Sequence, residues 1–147
     1  MINDFVNPVH ILLIEDNPGD IRLAQEALKE GKVRNTLTVI QDGEEALDFL
    51  FHRGEHAAAA RPDLVLLDLN LPKISGREIL AQMKTDDSLK TIPVVVLTAS
   101  EAEEDIIKCY GNHANCYITK PLDFSRFVQI TKAIEEFWLT IVKLPPK

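Results

Sequence analysis

The chain has 147 residues, 46% of them hydrophobic and 27% charged, which suits one domain able to bury a core without disulfide staples. Lys and Arg number 16 and Asp and Glu 23, a formal net charge of −7. That balance argues against binding nucleic acid or an anionic membrane surface by bulk electrostatics.

Met1 to His10 carries neither a basic n-region nor a long apolar stretch, so it does not read as a signal peptide. No apolar run approaches the roughly 20 residues that span a bilayer. Cys109 and Cys116 form no CxxC and no disulfide framework; Cys116, in an apolar stretch, reads as a buried small residue. A cytoplasmic, reducing compartment is expected.

In chain order, Val9–Ile14 predicts a strand. Pro18 to about Glu30 predicts a helix: Ile21, Ala24 and Leu28 recur at helical spacing, Asn17 caps, Pro18 suits the first turn and Gly31 stops it. Leu37–Ile40 predicts a short second strand. Asp42 caps a helix carrying Ala46, Leu47, Leu50 and Phe51. Arg53 to Arg61 reads as a loop or frayed end, with Pro62 stopping the run of alanines. His52 and His56 are four apart, but Gly54 intervenes and no HExxH is present, so a zinc site is not expected.

Asp63–Leu67 predicts a third strand, apolar on both faces as buried parallel strands are. Ser75 caps a helix through about Lys84, with Ile79, Leu80 and Met83 inward. Ile92–Leu97 predicts the fourth strand. Ser100 caps a helix to about Tyr110, whose acidic start, Glu101 to Asp105, suits the positive end of the helix dipole. Ala114–Ile118 predicts a fifth strand. Asp123 starts a last helix with Phe127, Ile130, Ile134, Phe137, Trp138 and Ile141 along one side, ending before Pro145. Phe137 and Trp138 point about 100° apart. With Ile141 and Leu144 nearby, they predict a contact surface for a homodimer rather than a tail folded back.

Five strands alternating with five helices imply βαβ units. The expected fold is α/β, a doubly wound (βα)5 parallel sheet of order 2-1-3-4-5, a flavodoxin-like three-layer sandwich. Residues 8–142 form the expected domain, and 1–7 and 143–147 are expected to be flexible tails.

Sites in such sheets form beyond the carboxyl ends of the strands. There the sequence offers Glu15 and Asp16 after the first strand, Asp68 and Asn70 after the third, Thr98 after the fourth and Lys120 after the fifth. Three carboxylates so close repel, and a divalent cation relieves the repulsion. Mg2+ takes oxygen ligands and uses one or two carboxylates plus a phosphate. Asp16 and Asp68 suit direct ligation, with the backbone carbonyl of Asn70 alongside and Glu15 through water. Asp68, at the end of the middle strand, is the best candidate for a nucleophile forming an aspartyl phosphate. Lys120 and the Thr98 hydroxyl would neutralise phosphoryl oxygens.

These residues carry a resemblance to the receiver domain of two-component response regulators. The motifs are the acidic pair Glu15 and Asp16, the run Asp68-Leu-Asn-Leu-Pro-Lys-Ile-Ser-Gly76, the pair Thr98 and Ala99, Tyr117, and Lys120-Pro121. The match covers about residues 8–140. It implies Mg2+-dependent (or Mn2+-dependent) transfer from a phosphohistidine of a sensor histidine kinase to Asp68. It implies a switch in which Thr98 moves toward the phosphoryl group and Tyr117 turns inward. That switch alters the surface of the fourth helix, fifth strand and fifth helix, which together with the C-terminal segment is the expected homodimer face. It implies a cis Lys120-Pro121 peptide that aims the lysine into the site. Asn70, Ala99 and Ser100 would border phosphoryl access. The family's first acid is often Asp; here it is Glu15. The segments from Glu15 to Leu23, Leu69 to Glu78 and Phe137 to Pro145 resemble the single-domain regulators of bacterial phytochrome histidine kinases.

The resemblance implies a signalling protein rather than an enzyme acting on a separate substrate. Three other classes compete. A phosphatase with an aspartyl nucleophile would want a DxD after the first strand, and Glu15-Asp16-Asn17 is not that. A pseudo-receiver would be an interaction module without phosphorylation, against which the intact acids, Thr98 and Lys120 speak. A flavodoxin-like cofactor binder would need Gly, Ser or Thr after the first strand, where this chain has Glu15 and Asp16.

Overall fold

The computed structural model describes residues 8–31, 34–98, 116–119, 124–125, 127–129 and 132–133. Its elements are β1 (Val9–Ile14), α1 (Pro18–Lys29), β2 (Asn35–Ile40), α2 (Gly43–Leu50), a single 3-10 turn (Gly54–His56), β3 (Leu64–Asp68), α3 (Gly76–Thr85), β4 (Val94–Thr98) and β5 (Cys116–Thr119). Residues 124–125, 127–129 and 132–133 are helical and fall in the expected last helix. The expected helix from Ser100 to Tyr110, both tails, and Phe137, Trp138, Ile141 and Leu144 lie outside the described residues.

The five strands form one sheet in the order β2-β1-β3-β4-β5, with every neighbouring pair parallel. Register follows from the two-residue repeat of strand side chains. Leu12, Ile14, Val65, Leu67, Val94 and Val96 face a core shared with α2 and α3, which contributes Leu47, Leu50, Ile79, Leu80 and Met83. Ile11, Leu13, Leu64, Leu66, Val95 and Leu97 face the opposite core, with Ile21, Ala24 and Leu28 of α1 and Phe127 of the last helix. Helices therefore cover both faces, and β3 is buried throughout. This is the doubly wound architecture expected.

Local chemistry sets the helix starts. Asn17 Oδ1 accepts from the Asp20 amide at 3.0 Å, Asp42 Oδ1 from Glu45 at 2.8 Å and Ser75 Oγ from Glu78 at 3.3 Å. Each satisfies an amide that the first helical turn leaves without a backbone partner.

β1 has the expected bounds, and the other strands shift by one or two residues at one or both ends. β3 runs Leu64–Asp68, so Asp63 precedes it; Asp63 instead ties the amino ends of two strands together. Its Oδ2 accepts from the His10 amide at 2.9 Å, and its own amide donates to the His10 carbonyl at 2.7 Å. The expected loop after α2 contains the short 3-10 turn. His56 Nε2 lies 3.0 Å from Glu45 Oε2, and its ring meets Phe49 edge-on at 5.3 Å between centroids.

At the amino end of the sheet, where Asp63 meets His10, Lys84 Nζ donates to the carbonyls of Lys90 (3.0 Å) and Ile92 (2.8 Å), fastening α3 to the approach to β4. Burial lowers the Lys84 pKa below its usual 10.5. The unfolded chain keeps the ordinary value, so between the two values it binds more protons than the folded protein. Charged Lys84 thus subtracts from stability at neutral pH, and the penalty fades as pH rises toward 10.5. Wild type is expected to gain stability relative to Lys84→Met as pH climbs through that window. Urea unfolding of both proteins across the alkaline range measures it, and a pH-independent difference would contradict the assignment.

Candidate functional site

The carboxyl ends of β1 and β3 are adjacent because the two strands pair in parallel, Ile14 against Leu67. Two acids follow β1. Glu15 continues the ladder, its amide donating to the Ile40 carbonyl at 3.0 Å, and its side chain is fully buried. Glu15 Oε2 accepts from the Asn17 amide at 3.1 Å, so the turn that caps α1 also holds this carboxylate. Asp16 is exposed.

Asp68 is the last residue of β3 and 3% exposed. It pairs with Leu97, and the ladder carries on one step further, the Leu69 amide donating to the Leu97 carbonyl at 3.1 Å. Asp68 Oδ1 accepts from the Asn70 amide at 3.1 Å. Asn70 itself is exposed. Behind Asp68 stands Gly76, the first residue of α3, whose amide donates to the Leu69 carbonyl at 3.0 Å. A Cβ on Gly76 would lie 2.3 Å from the Asp68 carbonyl oxygen and 2.7 Å from the Leu69 Cα, so a side chain there would displace the Asp68 backbone.

Glu15, Asp16 and Asp68 each offer a carboxylate oxygen, and the three lie within 4.8 Å of one another. Among the described residues this is the group of three acids, histidines or cysteines placed to share a metal ion. Like charges that close repel, most where burial lowers the local dielectric. An all-oxygen set of carboxylates suits a hard divalent cation such as Mg2+.

The backbone places Thr98 at the end of β4, paired with Thr119, and Tyr117 within β5, paired with Val96. Thr98 thus ends the strand next to β3, one residue beyond Leu97, the partner of Asp68. Ala99, Ser100, Lys120 and Pro121, including the expected cis peptide, lie outside the described residues. The sequence had Asp68 and Thr98 just beyond their strands; both are the final strand residues.

A doubly wound parallel sheet with three carboxylates gathered at its carboxyl edge is an α/β domain suited to a divalent cation, and its relatives make the class specific. Residues 11–132 match the response regulator receiver domain, and the chain belongs to that family. It is 48% identical over 138 residues to "Response regulator Rcp1" of Synechocystis sp., covering 94% of each chain. The structure of the phosphorylated cyanobacterial phytochrome response regulator RcpA superposes with a TM-score of 0.85 at 53% identity, over 95% of this chain and 100% of that one. The Mn2+-bound form of Rcp1 gives 0.84 at 47% identity, with the same coverage. The cluster of Glu15, Asp16 and Asp68 fits the divalent cation site of receiver domains.

Asp68→Asn removes one charge from the crowded set. It is expected to raise the stability of the metal-free protein, by up to a few kcal/mol. Wild type should gain about 2.7 kcal/mol from Mg2+ at 100 times its Kd, and Asp68→Asn much less. Urea unfolding of both proteins with and without Mg2+ reads the two effects. Equal Mg2+ gains would contradict a cation site at Asp68.

Proposed function

We propose that the chain is a phosphoacceptor switch, with Asp68 taking a phosphoryl group from a phosphohistidine of a sensor histidine kinase. The observation that carries the reading is the convergence of Glu15, Asp16 and Asp68 at the end of the central strand, in a chain of the receiver family. Glu15, Asp16, Asp68 and the backbone carbonyl of Asn70 would hold Mg2+ (or Mn2+). Such a cation supplies positive charge against the phosphoryl oxygens.

In the transfer, an oxygen of Asp68 forms the new O–P bond as the donor's N–P bond breaks. The electron pair leaves with the imidazole nitrogen. The ends of β3 and β4 lie side by side, which supports the Thr98 hydroxyl as a partner for a phosphoryl oxygen. The ammonium of Lys120 neutralises another. Asn70, Ala99 and Ser100 border the phosphoryl group, and their small size leaves water a route to hydrolyse it. The chain therefore assists its own phosphorylation and dephosphorylation without acting on a separate substrate.

Output follows from movement of Thr98 and Tyr117, which changes the surface of the fourth helix, fifth strand and fifth helix. That surface and the C-terminal segment are the proposed homodimer contact. Likeness to RcpA, a cyanobacterial phytochrome response regulator, supports a kinase of phytochrome type. Among the described residues no helix is long and apolar enough to cross a membrane.

Radiolabelled acetyl phosphate with Mg2+ is expected to give wild type a hydroxylamine-labile label. Asp68→Asn should abolish it, and Lys120→Ala should slow it by at least about tenfold. Undiminished labelling of Asp68→Asn would overturn the acceptor assignment. A wild type that takes no label and binds no Mg2+ would be an interaction module of pseudo-receiver type.

A further inference from the structure

The residues from Leu69 to Ser75 join β3 to α3 and include Asn70, whose amide donates to Asp68 Oδ1. The first turn of α2 stands against this loop. Gly43, which opens α2, donates its amide to the Pro72 carbonyl at 3.2 Å. A Cβ on Gly43 would lie 2.1 Å from the Ile74 carbonyl oxygen, 2.8 Å from the Ile74 Cβ and 2.9 Å from its carbonyl carbon. Most of that obstruction is backbone and cannot rotate away. The positive-φ glycine of the described chain is Gly54, so Gly43 serves close approach rather than an unusual backbone angle.

Two further observations tie the loop to the same helix end. Lys73 holds a left-handed φ of 70°, which is uncommon outside glycine. Its ammonium lies 3.9 Å from Asp42 Oδ2 and 3.6 Å from Glu44 Oε1, the residues flanking Gly43. Ile74 packs against the core that holds Ala46, Leu47 and Leu50 of α2. The loop is thus held between two side-chain-free positions, Gly43 on one side and Gly76 behind Asp68 on the other.

We propose that Gly43 is a positioning residue for the carboxylate site: by admitting the Ile74 carbonyl against the first turn of α2, it sets where the loop places Asn70 beside Asp68. This rests on the reading of Asp68 and Asn70 as cation ligands. A methyl group at position 43 must drive the loop and helix apart by about 1 Å, a displacement on the scale that disables sites from a distance. Gly43 touches neither the cation nor a phosphoryl group; it acts through the loop.

Manganese titration followed by electron paramagnetic resonance of free Mn2+ tests this on the full chain. Gly43→Ala is expected to weaken Mn2+ binding about 10–100-fold, the range seen when groups supporting metal ligands are lost. Ala46→Gly, within the same helix, lowers stability without adding an atom at the loop, and should keep wild-type affinity. Equal affinity for Gly43→Ala and wild type overturns the proposal, as do equal losses in both variants. Wild type supplies a measurement that needs no variant to fold. Saturating Mg2+ should slow hydrogen exchange of the Gly43 amide more than that of amides in the middle of α2, because coupling between the two places is reciprocal. Unchanged exchange at Gly43 counts against it. A wild type that binds neither ion removes the cation site itself, an outcome separate from both variant results.

Discussion

Crowding of carboxylates governs the carboxyl edge of this molecule. Glu15 and Asp68 are both buried, and their oxygens lie within 4.8 Å of each other and of Asp16. Holding like charges this close disfavours their ionised forms, and a bound cation would relieve that. The rest of the structure supplies the rigidity that keeps them there. Parallel pairing of β1 with β3 brings the strand ends side by side, and two apolar layers, one on each face, prevent the sheet from relaxing. An all-oxygen set of carboxylates suits a hard divalent cation better than a bare phosphate.

Hydrogen bonds aim the carboxylates once the sheet has placed them. Glu15 accepts from the Asn17 amide and Asp68 from the Asn70 amide, each two residues further along the chain. The same turns feed forward into α1, which Asn17 caps, and into the loop that leads to α3. Site and scaffold are therefore built from the same few residues. The opposite end of the sheet is secured differently, by Asp63 on His10 and by Lys84 on the carbonyls before β4. Both ends are therefore fastened by polar contacts to nearby backbone, and the carboxyl end gathers three carboxylates as well.

Much of this could be read from the chain. Short continuous apolar runs marked the strands, and Asn17, Asp42 and Ser75 announced their helices, because capping depends on neighbours a few residues away. Strand ends were less legible. Asp63 and Asp68 flank the same apolar run, and nothing local says that the first lies outside β3 and the second closes it; the ladder with β1 and β4 decides that. Asp16 and Asp68 were legible as a site because both follow apolar runs read as strands of a parallel sheet, whose carboxyl ends converge. Gly43 was not, since a glycine before a helix looks the same whether or not a distant carbonyl rests on it.

The sequence by itself determined the element types, the alternation that implies a doubly wound sheet, and the acids at the strand ends. Those follow from periodicity, capping and residue chemistry, all local properties. Tertiary structure alone decided that Glu15 is buried while Asp16 is exposed, that three oxygens fall within reach of one ion, and that α2 abuts the loop after Asp68. Burial and close approach depend on which surfaces meet, and that is settled by packing between segments far apart in the chain.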